Sequence, residues 1–419
     1  MNTNKCLRDF EKEIRECVKC GVCQAHCPAY IANRREGSVA RGKIALAAAL
    51  LDGKIDLEER LQQDIGMCLM CGSCVTKCPN KVPTHEIVGA IRREISDSQG
   101  LSLIGKGVST LLGSSALMKA VTKSGALLSS LFLKKIPETS GLRLRFPVMK
   151  DRTLPKPAFR NLFDRFPEFI EGKEGKLVVG FFAGCAITYL YPEIGVKMIR
   201  LLQRLGCSIS LPREQKCCGI PALSIGNGNL VEELASANVR AFATRKVDYI
   251  VTACASCNAG IGAYYRSMKT DSADFTGKVI DFNVFLKEQG LLARLAAMEK
   301  WRNRVTVTYH DPCHLKSQGI TEEPRDLLKA LPNIDFVEME NAAACCGLGG
   351  TFSVSHYAYS KAIGARKIPG LRDSGATMVA TACPGCILQL QDSINLAGLQ
   401  IRAVHLLDLI DEAFNNDLK

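Results

Sequence analysis

One cysteine pattern, C-x2-C-x2-C-x3-C closed by a proline, occurs twice in this chain. It runs through Cys17, Cys20, Cys23, Cys27 and Pro28, and again, without deviation, through Cys68, Cys71, Cys74, Cys78 and Pro79. Two-residue gaps let successive thiols curl round one centre, and Gly21 and Gly72 lend the turns their freedom. The proline after the last thiol offers no competing N–H and redirects the chain. Cysteine makes up 20 of 419 residues in a chain that is 47% apolar. That is too dilute for a disulfide scaffold and apolar enough to build ordinary cores. The charged first residues carry no secretory hydrophobic stretch, and no segment of about 20 residues is apolar enough to span a membrane. A reducing cytoplasm is therefore expected, where clustered thiols mean metal or redox chemistry.

The spacing is that of the bacterial ferredoxin run, in which three close thiolates hold one [4Fe–4S] cluster and the fourth crosses to another. It assigns Cys17, Cys20, Cys23 and Cys78 to a first cluster, and Cys68, Cys71, Cys74 and Cys27 to a second. A zinc ribbon pairs two C-x2-C knuckles and has no use for a triple run. No C-x-x-C here is followed by His, so covalent haem is excluded. His26, between two ligands, is expected to form local hydrogen bonds. The segment between the runs, GSVARGKIALAAALLDG and LEERLQQDIGMC, has helical spacing, so residues 1–97 are expected to form a helical di-cluster domain.

Ten further cysteines fall into two equal groups: Cys185, Cys217, Cys218, Cys254 and Cys257, then Cys313, Cys345, Cys346, Cys383 and Cys386. Corresponding members are 128 or 129 residues apart, a period that means a duplicated domain. The surrounding pattern repeats too. LVVGFFAGC, SISLP and YIVTAC read as strands in the first copy, and VTVTYHDPC, DFVEM and MVATAC in the second. Helical stretches lie between them, such as PEIGVKMIRLLQRLG and EPRDLLKAL. Alternation of this kind argues for parallel α/β sheets with the thiols at one edge. Five thiols exceed the four that zinc or a cubane requires, so one is spare or the geometry is unusual.

With GFFAGC, KCCGIPA, YHDPCH and RTLPKPAF, this arrangement resembles the CCG cysteine-rich family along nearly the whole chain. That family includes the iron–sulfur subunits of anaerobic glycerol-3-phosphate, glycolate and lactate dehydrogenases, and cysteine-rich subunits of heterodisulfide reductases. The resemblance implies an α+β multidomain chain: the helical di-cluster ferredoxin domain, a basic linker over 98–175, and two duplicated α/β cysteine-rich domains over 176–300 and 301–419. It also implies a noncubane [4Fe–4S] cluster in one or both five-thiol sites; zinc, or no metal, in one copy stays open. The implied role is an iron–sulfur electron-transfer subunit of a membrane-associated, flavin-dependent dehydrogenase, relaying electrons from a flavin subunit toward quinone. The alternative is a heterodisulfide-reductase-like subunit that reduces a disulfide at a noncubane cluster. The vicinal pairs Cys217–Cys218 and Cys345–Cys346 are less suited to disulfides of their own, because such bridges are strained.

No flavin or nucleotide fingerprint is found. GLSLIGKG from Gly100 ends in Gly107 where a phosphate loop needs Ser or Thr. His310 and His314 bracket Cys313, which admits a role as proton donor beside a cluster; they are expected instead to hydrogen-bond around it or pack at the strand end. Cys207 is expected in a core, and Cys6 has no assigned role. Residues 98–160 carry a net +9 of the chain's +12, with apolar residues at helical spacing interrupted by glycines, so two short amphipathic pieces are expected. They could lie on an anionic membrane at the inner face of the cytoplasmic membrane, or pack between cluster domains or on a partner subunit. Without stacking aromatics beside the basic residues, nucleic acid is not expected as a partner.

Overall fold

The computed structural model describes residues 5–135, 142–144, 152–155, 157–173, 177–268 and 272–416, without the side chains of 128–135, 142–144 and 416. It is an α+β assembly of a helical N-terminal region and two sheet-containing units.

In the N-terminal region, helices Ala40–Leu51, Glu59–Gly66 and Thr84–Gln99 pack around Ile14, Ile44, Ala47, Ile65, Ile87 and Ile91. The alanine-rich first helix lets its neighbours approach closely, and the buried Ile side chains of the others fill the space between. Two five-residue helices, Val22–His26 and Ser73–Lys77, carry the third cysteine of each run and lie against each other.

The strands, in chain order, are β1 (Leu133–Lys135), β2 (Leu142–Leu144), β3 (Thr153–Leu154), β4 (Phe169–Ile170), β5 (Val178–Phe181), β6 (Ser208–Ser210), β7 (Tyr249–Thr252), β8 (Val279–Asp281), β9 (Val305–Tyr309), β10 (Ile334–Phe336), β11 (Met378–Thr381) and β12 (Arg402–His405). The two larger sheets run β4-β6-β5-β7-β8 and β10-β9-β11-β12. Removing the antiparallel edge strand β4 leaves the same parallel order in both, so the 128-residue period is a duplicated fold. Parallel strands send every carboxyl end to one edge, which is where the cysteines follow. Ala255 N donates to Ala382 O at 3.1 Å, and the His405 ring meets Ala253 O at 3.0 Å, so the two cysteine-bearing edges face each other.

The linker forms two helices, Leu103–Gly113 and Ser115–Phe132. The second is longer than the expected short piece and continues through Gly125, because tertiary contacts offset the glycine. Lys119 pairs with Asp164 at 2.6 Å, and Thr122 is buried. The first helix is docked on the first copy, where Asn227 donates to Ser109 Oγ at 2.9 Å. Arg152, one of the basic residues expected on a docking face, is instead buried: its guanidinium donates to Gln389 Oε1 at 2.7 Å and pairs with Asp392 at 3.4 Å. Lys134, Lys135, Arg143, Arg145, Lys150 and Lys156 have side chains outside the described part of the structure. Leu103, Ile104, Val121, Leu127 and Phe159 remain exposed. Among the described residues, no helix is long and apolar enough to cross a membrane.

Candidate iron–sulfur sites

Both ferredoxin-type runs adopt one backbone. Lys19 and Met70, each just before the second cysteine, sit at φ +56° and +55°; Gly21 and Gly72, just after it, sit at +85° and +69°. Left-handed residues on both sides of a cysteine suit a loop whose peptide N–H groups face its concave side. In the second run, Met70 N–H reaches Cys68 Sγ at 3.4 Å. Cys27 and Cys78 are extended. Cys27 lies beside Cys68, Cys71 and Cys74, while Cys78 lines a small cavity with Cys17, Cys20 and Cys23, which Cys74 also reaches. Burial pushes the Cys27 thiol up to about 11, against the opposing charge of Lys43.

Two cations that sequence reasoning missed lie beside the second set, Lys43 buried and Arg92 half-buried. Lys43 donates to Gly37 O at 3.1 Å and also to Ser38 O, close to Cys27 and Cys68. Arg92 spans three segments, donating to Ile65 O at 3.0 Å, Cys68 O at 2.7 Å and Ser224 O at 2.8 Å. Nothing in their sequence neighbourhood distinguishes them from surface charges; only the fold encloses them.

The ten thiols of the duplicated half form one continuous string. In the first copy, Cys185 Sγ lies 3.6 Å from Cys217 Sγ; contacts then run Cys217–Cys218, Cys218–Cys257 and Cys257–Cys254. The second copy repeats the order, Cys313–Cys345, Cys345–Cys346, Cys346–Cys386 at 3.7 Å, and Cys386–Cys383. The halves join through Cys254 and Cys383. At the second copy, Cys345 also reaches Cys71 of the second ferredoxin-type set. One cavity collects thiols of both copies and Cys71 between apolar walls that include Leu69, Ile220, Leu223 and Leu348. The glycine of each C-C-G is demanded by backbone shape, with φ +89° at Gly219 and +98° at Gly347.

Of the two histidines, His314 accepts or donates at Ser256 Oγ across the copies at 3.0 Å, and Ser256 in turn lies 3.8 Å from Cys383 Sγ. His310 is fully buried, and burial holds it well below the ordinary imidazole range. Cys207 is buried and remote from the string, and Cys6 is exposed.

All 20 cysteines are free thiols. Soft sulfur donors, converging in apolar surroundings with an amide N–H aimed at sulfur, suit iron–sulfur clusters. Five-thiol groups do not match the four-coordinate sites of structural zinc.

Residues 13–82 match the 4Fe-4S dicluster domain, and residues 179–262 and 307–391 each match the CCG cysteine-rich domain. The chain is 32% identical to the probable glycolate oxidase iron-sulfur subunit of Bacillus subtilis, with 99% of each chain covered. It is 27% identical to one subunit of the dihydromethanophenazine:CoB–CoM heterodisulfide reductase of Methanosarcina barkeri, covering 96% of this chain and 94% of that one. Lactate utilization protein A of Halalkalibacterium halodurans is 29% identical, over 56% of this chain and 96% of that one. With its cysteine strings, its duplicated sheets and these relatives in agreement, the chain belongs to the family of iron–sulfur subunits in which a 4Fe-4S dicluster domain precedes two CCG cysteine-rich domains.

Proposed function

We propose that this protein is the electron-transfer subunit of a flavin-dependent dehydrogenase of the glycolate, lactate or glycerol-3-phosphate type, linking a flavin subunit to quinone at a membrane surface. The observation that carries this reading is the thiol-to-thiol continuity from the ferredoxin-type runs through Cys71 and Cys345, then Cys383 and Cys254, to Cys185. In this reading Cys17, Cys20, Cys23 and Cys78 hold one [4Fe–4S] cluster, and Cys68, Cys71, Cys74 and Cys27 a second. The five thiols of residues 176–300 and the five of 301–419 hold further centres. Bound clusters supply one-electron carrier states whose potentials follow burial, charge and hydrogen bonds to sulfur. The chain's own residues set those terms: Lys43 and Arg92 place positive charge at the second set, and Leu69, Ile220 and Leu348 give the shared cavity apolar walls. The exposed apolar residues of 103–159 supply a docking face.

The test is anaerobic co-purification from the source cell. A flavoprotein should travel with the chain, and its hydroxy-acid or glycerol-phosphate substrate should reduce the clusters. Full-length protein with no more than about eight irons, or with clusters no flavoprotein reduces, overturns this reading. The shared cavity favours a second function, reduction of a disulfide entering between the two CCG sets. That function requires the isolated chain to turn over a disulfide substrate with an artificial electron donor.

A further inference from the structure

The two CCG copies are not chemically equal. Phe182 and His310 occupy the same place, one residue beyond the end of β5 and β9 and three residues before Cys185 and Cys313. Their backbone N–H groups make the same ladder bond, Phe182 to Val251 O and His310 to Ala380 O, both at 2.9 Å. In the first copy this position brings an aromatic ring close to Cys257: a Cβ built on Gly184 would meet both Cys257 Sγ and the Phe182 ring. In the second copy it brings an imidazole to the matching cysteines, with a ring nitrogen of His310, Cys346 Sγ and Cys386 Sγ all within 4.8 Å of one another.

The imidazole's tautomer is set by its surroundings. Nδ1 faces Ala342 O at 3.2 Å, and a carbonyl oxygen only accepts, so Nδ1 carries the proton. In the neutral ring this leaves Nε2 as a bare lone pair. Nε2 is buried and has no hydrogen-bond partner. An unpaired buried polar atom is costly, and a histidine tied through one nitrogen to a backbone carbonyl, with the other nitrogen free among thiols, has the posture of a metal ligand.

We infer that His310 Nε2 binds iron in the second CCG site, so that this site is held by nitrogen and sulfur while the first is held by sulfur alone. The inference rests on the proposal that the second CCG set holds an iron–sulfur centre. A neutral nitrogen donor brings less negative charge to the centre than a thiolate does, and nitrogen ligation raises the potential of an iron–sulfur centre relative to all-sulfur ligation. The duplicated halves would then differ in potential, giving the string a direction that its sulfur geometry alone does not have.

The test compares full-length protein, isolated anaerobically with 15N-labelled histidine, with His310→Phe and His310→Gln. Phe182 shows that the fold accepts a phenyl ring at this position, and the glutamine keeps a polar side chain should the first variant fold poorly. Pulsed EPR of the oxidised and reduced states, with Mössbauer spectroscopy for silent states, should reveal one centre coupled to histidine nitrogen. In both variants that coupling should vanish and the same centre should become harder to reduce. A Cys345→Ser/Cys346→Ser variant should lose this centre, and Cys217→Ser/Cys218→Ser should keep its nitrogen coupling. If the Cys345/Cys346 variant loses a centre that never showed histidine coupling, or the coupling survives in the His310 variants, the inference about His310 is overturned. If the Cys345/Cys346 variant keeps all iron and every signal, or the site yields zinc instead, the underlying reading of the site falls.

Discussion

Cys254 and Cys383, equivalent thiols of two domain copies 129 residues apart, meet each other across the copy interface. Each is the first cysteine of its C-x-x-C pair, and each follows an inner strand of its sheet, β7 or β11. The backbone bond from Ala255 to Ala382 fixes the two strand ends relative to each other. The contact joins the two five-thiol groups much as Cys71 and Cys345 join the second copy to the ferredoxin-type run.

Metal-free protein exposed to a mild thiol oxidant should therefore form Cys254–Cys383 and Cys71–Cys345 cross-links, alongside pairs within each copy. Thiolates committed to iron are shielded from this chemistry, so the loaded protein should yield few of them. Non-reducing peptide mapping reads both states. Equal cross-linking with and without iron would show that these cysteines are not ligands.

Arg92 joins the N-terminal helices to the first CCG copy through carbonyls of Ile65, Cys68 and Ser224. Arg92→Gln removes a half-buried charge and its hydrogen bonds to the Gly66, Cys68 and Ser224 carbonyls, so it should cost about 1–3 kcal/mol in denaturant unfolding. Lys43→Met instead removes a positive charge near Cys27 and Cys68 with little change of volume. Reduction adds negative charge to this site, so the variant's second ferredoxin-type centre should become harder to reduce. A tenfold change in that equilibrium is about 60 mV for one electron. A potentiometric titration in which Lys43→Met leaves every centre unmoved would place the iron elsewhere.

The C-C-G glycines should respond unequally to alanine. Both positions are left-handed, which costs an L-residue about 1–2 kcal/mol. At Gly219 the added methyl meets the side chain of Val231 at 3.3 Å, which can shift slightly; at Gly347 it meets the backbone Ser360 O at 2.7 Å, which cannot. Gly347→Ala should therefore lose more stability than Gly219→Ala, and the second CCG site should lose iron first. Melting curves and iron content of the two variants decide it.

Much of this was legible in cysteine spacing and strand pattern, because local chain geometry dictates both. The duplicated α/β units, the ends of β5, β7, β9 and β11, and the two groups of five thiols follow from residues near each other in sequence. Strands β8 and β12 were not foreseen: no cysteine follows them to mark a strand end, and their pairing with β7 and β11 is non-local. Arg152 misled because a charge reads as surface unless its partner is known, and Asp392 lies 240 residues away. His310 was visible as a neighbour of Cys313, but its free nitrogen depends on Ala342, which only the fold brings close.

Two buried groups should shape the pH dependence of stability in opposite senses. His405 is neutral, with its Nε2–H on Ala253 O and its Nδ1 accepting from Leu407 N–H, and burial holds it at about 4. The unfolded chain binds the extra proton first, so this stabilisation is complete above the ordinary imidazole value of 6.5 and is lost as pH falls toward 4. Asp281 runs the other way. Burial raises its carboxyl to about 7, and Oδ2 has no partner, which suits a protonated acid. Its contribution is complete below the ordinary carboxyl range near 3.8 and is lost as pH rises through 7. Each group changes the slope by at most about 1.4 kcal/mol per pH unit. Anaerobic urea unfolding between about pH 5 and 7.5 should thus show His405→Gln flattening the acid-side loss and Asp281→Asn steepening it. Parallel curves for the two variants would mean that neither group holds its buried charge state.

The linker's exposed apolar residues offer the last test. Leu103 is 87% exposed and Leu127 68%, on helices that also carry Lys106 and Lys123. Each leucine moved from water into an acyl environment contributes about 1.5–3 kcal/mol, and nearby lysines add attraction to anionic lipid. If this face docks on a membrane, the full-length protein should sediment with vesicles containing phosphatidylserine and be released by salt. Leu103→Glu/Leu127→Glu should weaken that binding at least tenfold while leaving the iron content and melting temperature unchanged, since neither side chain is in a core. Vesicle binding equal to that of the unaltered protein would remove the membrane from the proposed function and leave this face to a partner subunit.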